Sequence, residues 1–140
     1  MIERERTSLD ERQMEALQGL PPGFRYPDRF VEILSQEPLV DIEPWMWLFS
    51  YRDQFRAWQG ILREQFPTRT SVPFAKHGDT DDVFCFDGDS RDGAPAVLQI
   101  HTFTTPGWEY RGQWASFDDW WAEMEAQHAD WLAEQEAEED

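Results

Sequence analysis

The stretch Pro73–Trp121, PFAKHGDTDDVFCFDGDSRDGAPAVLQIHTFTTPGWEYRGQWASFDDWW, holds three apolar runs separated by turn chemistry and closes on a helix start. Val83-Phe84-Cys85-Phe86 has no polar residue on either face of a strand, which predicts a position near the centre of a sheet. Ala96 to Phe103 sets Ala96, Leu98 and Ile100 against Val97, Gln99, His101 and Phe103. Thr105-Pro106-Gly107-Trp108 then offers a proline that presets the first central dihedral and a glycine that accepts positive φ at the second, the requirement of a type II turn. In the third run Trp108, Tyr110 and Trp114 alternate with Glu109, Arg111 and Gln113, so the aromatic side is expected in the core and the charged side in water. Ser116 can cap a helix whose first turn carries Asp118 and Asp119 at the positive end of its dipole. The prediction is a three-stranded antiparallel meander followed by a helix that lays Phe117, Trp120 or Trp121, Met124, Trp131 and Leu132 on the sheet.

Upstream, residues 1–7 mix charges without a pattern and are expected to fray. Ser8-Leu9-Asp10-Glu11 matches a capping box, with Leu9, Met14 and Leu17 available for packing and Gly19 as a left-handed stop. A second helix fits Pro27 to Gln36, and a third follows a cap at Ser50, with Tyr51, Phe55, Trp58, Ile61 and Leu62 on one face. Pro44 to Phe49 reads as an edge strand or an exposed aromatic patch. Residues 134–140, EQEAEED, place acids at a helix C-terminus, where they oppose the dipole and favour fraying.

With 140 residues the chain is expected to be one α+β domain that buries roughly two-thirds of the surface its unfolded chain exposes. Its 8 Trp, 10 Phe and 3 Tyr point to a core built around rings. The single cysteine, Cys85, excludes an internal disulfide, and no leader-like start is present; both fit a reducing cytoplasm. The longest apolar run, Pro44 to Phe49, has six members, far short of the roughly 20 a membrane span needs. Net charge is −17, no lysine or arginine follows Arg111, and ten acids do. Such a field repels nucleic acid and anionic membranes and attracts a basic partner, or it serves solubility alone.

Taken in order, several segments are similar to a known pattern: Leu20-Pro21 heading LPPGFRYPDRFVEIL, then Val72-Pro73-Phe74-Ala75, an aspartate-rich turn, VFCFDGD, PAVLQIHTF, and the terminal Ser116-Phe117-Asp118-Asp119-Trp120-Trp121. The chain resembles the SUKH superfamily, which includes yeast cell-wall regulators, Syd-type proteins and many bacterial immunity proteins. The resemblance implies a single α+β domain over residues 1–140, with an antiparallel-dominated sheet flanked by helices and a C-terminal helix packed on it. It implies protein-protein binding, and in bacteria an antidote that covers the active site of a toxin, many of which are nucleases. It implies no catalytic motif.

Candidate contacts to a basic protein are the turn acids Asp79, Asp81, Asp82, Asp87, Asp89 and Asp92, together with Glu109 on the wet side of the third run. The same aspartates also suit turns structurally, because they hydrogen-bond their own backbone. Asp87 to Gly93 looks like a calcium loop, but its third acid is one position late and Leu98 stands where the bidentate acid belongs, so no metal is assigned. Trp45 and Trp47 share a face of any strand: exposed, they would be binding anchors, and turned inward, packing. Cys85 and His101 would make a nucleophile pair only if they met, and the phenylalanines flanking Cys85 suggest an inert thiol. No phosphate loop, nucleophile elbow or dinucleotide fingerprint occurs. The expected function is therefore a cytoplasmic, non-catalytic immunity protein without cofactor, acting on a basic toxin domain, with a toxin-free regulatory or scaffolding module as the alternative.

Overall fold

Val83, Phe84, Cys85 and Phe86 are fully buried, and their strand is the middle one of five. The computed structural model describes residues 6–139. In chain order the elements are α1 (Leu9–Ala16), α2 (Asp28–Leu34), β1 (Trp45–Trp47), α3 (Gln54–Gln65), β2 (Ser71–His77), β3 (Asp82–Asp87), β4 (Val97–His101), β5 (Tyr110–Trp114) and α4 (Phe117–Glu139). Each strand pairs antiparallel with the next, so the sheet is one meander in the order β1-β2-β3-β4-β5. The α+β architecture with a C-terminal helix on the sheet is as expected, and Pro44 to Phe49 supplies an edge strand, β1, but the meander has five strands, not three. β2 escaped notice because Pro73 lies inside it, and the structure accommodates that proline at an irregularity between Pro73 and Ala75.

Alternation along β3 divides the core. Phe84 and Phe86 join the larger cluster with Phe30, Phe74, Phe117 and Trp120, while Val83 and Cys85 join a smaller one with Leu48, Leu62, Phe66 and Ile100. Helices α2 and α4 cover the first face, and Leu62 of α3 covers the second. Rings dominate: Phe74 stacks on Phe86 at 4.2 Å, and Trp120 stands edge-on to Phe74 at 4.8 Å and to Phe84 at 5.1 Å.

Local signals at helix starts held where the partner was also local. Ser8 and Glu11 form the reciprocal capping box, and Ser116 Oγ accepts from Asp119 N at 3.2 Å. Orientation set by distant partners did not follow the sequence reading. Met14 and Leu17 face solvent, whereas Arg12 is buried and donates to the carbonyls of Leu34 (3.3 Å), Thr7 (2.9 Å) and Gln36 (2.7 Å). Carbonyls at the end of α2 lack partners within their helix, and the guanidinium fork supplies them, which fixes how α1 is rotated. The expected fraying of residues 1–7 falls for residues 1–5 outside the described residues, and it does not hold for the other two: Arg6 bridges to Tyr51, and the buried Thr7 donates to Ser50 and Phe49 carbonyls. The third helix starts at Gln54 after Asp53 at φ 71°, not at Ser50. Finally, α4 continues to Glu139 instead of fraying from 134, because alanine, glutamate and glutamine there are strong helix formers; Asp140 lies outside the described residues.

The third run departs most from the expected alternation. The β4–β5 register passes from Gln99↔Gly112 to Ile100↔Tyr110, leaving Arg111 as an extra residue in the ladder. Such a bulge shifts the alternation of all that lies beyond it. Trp114 packs against the core as expected, but Trp108 is 73% exposed, Tyr110 is 51% exposed, and Glu109 is buried.

Trp120 is fully enclosed, and its indole N–H meets no hydrogen-bond acceptor among the described residues. Trp120→Ala should therefore cost about 3–5 kcal/mol. Trp120→Phe removes the unpaired donor along with some volume and should stay within about 1.5 kcal/mol of the parent. Denaturant melts of both variants check this, and equal losses would mean that the edge-on ring contacts contribute little.

Candidate functional site

The six aspartates read together from the sequence separate in space. Asp79, Asp81 and Asp82 lie at the β2–β3 turn, whereas Asp87, Asp89 and Asp92 lie at or beyond the other end of β3. A six-residue strand puts about 17 Å between the two ends. No single side-chain cluster contains all six.

At the far end the carboxylates of Asp87 and Asp92 are engaged by their own chain, whereas Asp89 contributes its backbone N–H and its carboxylate has no partner among the described residues. Asp87 Oδ1 accepts from Asp89 N at 3.0 Å, and Asp92 Oδ1 accepts from Ala94 N and from Ser90 Oγ, each at 2.9 Å. The Ala94 N–H, then the Ser90 hydroxyl, with the Arg25 charge adding, hold the Asp92 carboxyl below its ordinary range. The Arg91 guanidinium spans the same loop, donating to Gly88 and Ser90 carbonyls at 2.9 Å. This is turn construction with basic residues close at hand.

At the β2–β3 end the backbone makes the bonds and two of the carboxylates stay free. Asp79 N donates to His77 Nδ1 at 3.0 Å, Asp82 N to Thr80 Oγ1 at 3.3 Å, and the Asp81 carbonyl accepts from both Thr102 N and Thr102 Oγ1. Asp82 Oδ1 meets His101 Nδ1 at 2.8 Å. Among the described residues, neither the Asp79 nor the Asp81 carboxylate has a hydrogen-bond or ion-pair partner. Lys76 does not neutralise them, since its ammonium donates to the His77 and Thr80 carbonyls and sits 5.4 Å from the Trp58 ring centre. Beside this turn opens a cleft of about 410 Å³ whose walls include Asp41, Glu43, Asp79, Arg6 and Trp131. His128 ties α4 to its rim through the Glu43 carbonyl at 2.7 Å.

Three candidate contacts leave the surface. Trp45 is 9% exposed and donates from its indole to Gln127 Oε1 at 2.9 Å, and Trp47, 2% exposed, donates to the Val40 carbonyl at 2.8 Å. They share one face of β1, and that face packs into the large cluster, so the inward alternative holds for both. Glu109 is 6% exposed, with Arg69 Nε on its Oε2 at 2.5 Å and Gly107 N on its Oε1 at 2.6 Å. The sequence reading put this residue in water because its partner stands forty positions away. Conversely, it missed the exposure of Trp108 and Tyr110. Gly112 was the available signal, since a glycine inside a strand pattern marks a bulge.

Cys85 and His101 do not meet: Cys85 pairs across to Leu98, and His101 pairs with Asp82, three ladder positions away. Burial pushes the thiol pKa well above its ordinary value despite the opposing Arg69 charge. Among the described residues no group of three or more His, Cys, Asp or Glu is placed to hold a metal ion, and no helix is long and apolar enough to cross a membrane. Comparison with protein-family models, curated proteins and solved structures finds no match for this chain.

The pair of buried Glu109 and half-buried Arg69 makes a pH prediction. Burial alone would raise the Glu109 pKa, but the Arg69 hydrogen bond and the backbone amides outweigh it and hold the carboxyl below its ordinary 4.5. A folded pKa below the unfolded one means that the contribution is complete above about pH 4.5 and fades as pH falls through the lower folded value. Glu109→Gln should cost about 1–3 kcal/mol at pH 7, with the difference from the parent closing in stronger acid. Denaturant melts at pH 7, 4.5 and 3 measure it; a pH-independent difference would show that the charge of Glu109 is irrelevant.

Proposed function

We propose that this chain is a non-catalytic binding domain for a basic protein, and, in the form the SUKH resemblance suggests, a cytoplasmic immunity protein that covers the active site of a cognate toxin. The observation that carries the reading is the contrast between the two ends of β3. In one group the carboxylates of Asp87 and Asp92 are bonded and Arg25 and Arg91 stand close; the other leaves Asp79 and Asp81 unpaired beside a cleft whose walls include Asp41 and Glu43 as well as Arg6. Unpaired like charges repel one another in the free protein, so a cationic partner relieves a cost as it binds. With −17 overall, association is steered toward basic surfaces and away from phosphate backbones. Cover by mass and charge needs no chemistry from this chain.

The test is co-expression of the neighbouring open reading frame with and without this protein, followed by co-purification. Relief of toxicity together with a complex that survives purification is the expected result. A harmless neighbour, or one toxic regardless and unbound, would leave a toxin-free regulatory module as the better reading. For the purified pair, raising salt from about 50 to 500 mM shortens the screening length from above ~10 Å to about 4 Å and should slow association by tenfold or more. Replacing Asp79 and Asp81 by Asn should slow it several-fold at low salt, and replacing the bonded Asp87 and Asp92 should slow it less. An association rate indifferent to salt would remove the electrostatic part of the proposal.

A further inference from the structure

We propose that the β4–β5 hairpin is the anchor of the binding surface, that Phe103, Trp108 and Tyr110 are its apolar contacts, and that its occupant is a basic protein segment that also presents apolar side chains. The inference rests on the basic-partner reading above and adds where, and by what chemistry, such a partner is held.

Folding does not account for these three side chains. Every other tryptophan is buried or half-buried, whereas Trp108 is 73% exposed, and Phe103 and Tyr110, within the same eight residues, are 63% and 51% exposed. Phe103 also holds φ at 59°, a left-handed conformation that asparagine or glycine adopts readily and a bulky side chain adopts at a cost. Its ring stands edge-on to the partly buried Trp58 at 6.5 Å.

The loop that carries them is pinned from beneath. Phe103 N donates to Gln65 Oε1 at 2.6 Å, His101 N to the Glu109 carbonyl at 2.8 Å, and Trp108 N to the Thr105 carbonyl at 3.0 Å. Glu109 is locked between Arg69 and Gly107 N. Exposed aromatics on a preorganised loop lose little conformational freedom when covered, and tryptophan and tyrosine are the residue types that dominate binding energy at protein interfaces.

Charge selects the occupant. Thr102 bonds the root of the hairpin to the Asp81 carbonyl, so the loop that carries the rings is tied to the turn bearing the unpaired Asp79 and Asp81. Arg111 is the one base within β5 and its turn. A second copy of this chain would bring another −17, and an anionic lipid surface is repelled by the same acids. A cationic protein segment with apolar side chains satisfies both the rings and the carboxylates.

The experiment is calorimetry on the full chain with three probes at about 50 mM salt: a peptide of alternating Arg and Leu, a peptide of equal charge with Ser in place of Leu, and phosphatidylcholine vesicles. The parent should bind the Arg/Leu peptide about tenfold or more tightly than the Arg/Ser peptide. Trp108→Ser with Tyr110→Ser should abolish that preference while leaving Arg/Ser binding unchanged. Phe103→Asn, which suits the local backbone, should reduce the preference without lowering Tm and supplies a second folded variant. A preference that survives all three substitutions overturns the hairpin as anchor while the basic-partner reading stands. No binding of either peptide overturns both, and Trp108-dependent binding to the vesicles in place of the peptides identifies a membrane occupant and overturns the protein one.

Discussion

Trp120 edge-on against Phe74 and Phe84 is the contact on which the other placements depend. It brings the first turns of α4 onto β2 and β3, and it does so with rings, which bury a large apolar area per residue in a restricted set of geometries. Once Phe117, Trp120 and Met124 are seated, the helix direction is fixed, and Trp45 and Trp47 of β1 are covered from the same side. Their indole donors then find Gln127 and the Val40 carbonyl. The later turns of α4, beyond Met124, are largely exposed and carry the acids outward, past the edge of the packed core.

What could be read from the sequence was what depends on neighbours in the chain. The unbroken apolar run Val83–Phe86 placed the central strand, the capping residues Ser8 and Ser116 placed two helix starts, and Pro106-Gly107 placed a turn whose glycine has φ of 103°. What could not be read depends on partners brought near only by folding. Arg12 turns inward for carbonyls more than twenty residues ahead, and Glu109 turns inward for Arg69, forty residues behind. Periodicity assigns a polar residue to water by default, and it cannot foresee a buried partner that satisfies the charge.

The same limit governs the acids. Six aspartates close in sequence look like one patch, yet a single strand separates them into two groups with different electrostatic character. In one group Asp87 and Asp92 are consumed in building a loop; in the other Asp79 and Asp81 are left over while Asp82 meets His101. Proximity in sequence therefore overstated the size of any acidic site, while the burden on Asp79 and Asp81 was invisible without Lys76, whose charge is spent on backbone carbonyls next door.

One extra residue in β5 links the fold to the proposed surface. Without the bulge at Arg111, the alternation of the third run would continue, Trp108 and Tyr110 would fall on the core side, and Glu109 would face water as periodicity predicts. With it, the carboxylate moves inward to Arg69 and the rings move out. The two displacements are mechanically one event, because adjacent residues of a strand point to opposite sides. The half-buried ion pair is thus the underside of the aromatic surface, and the rigidity that suits Trp108 and Tyr110 for binding has its source in the polar contact beneath them.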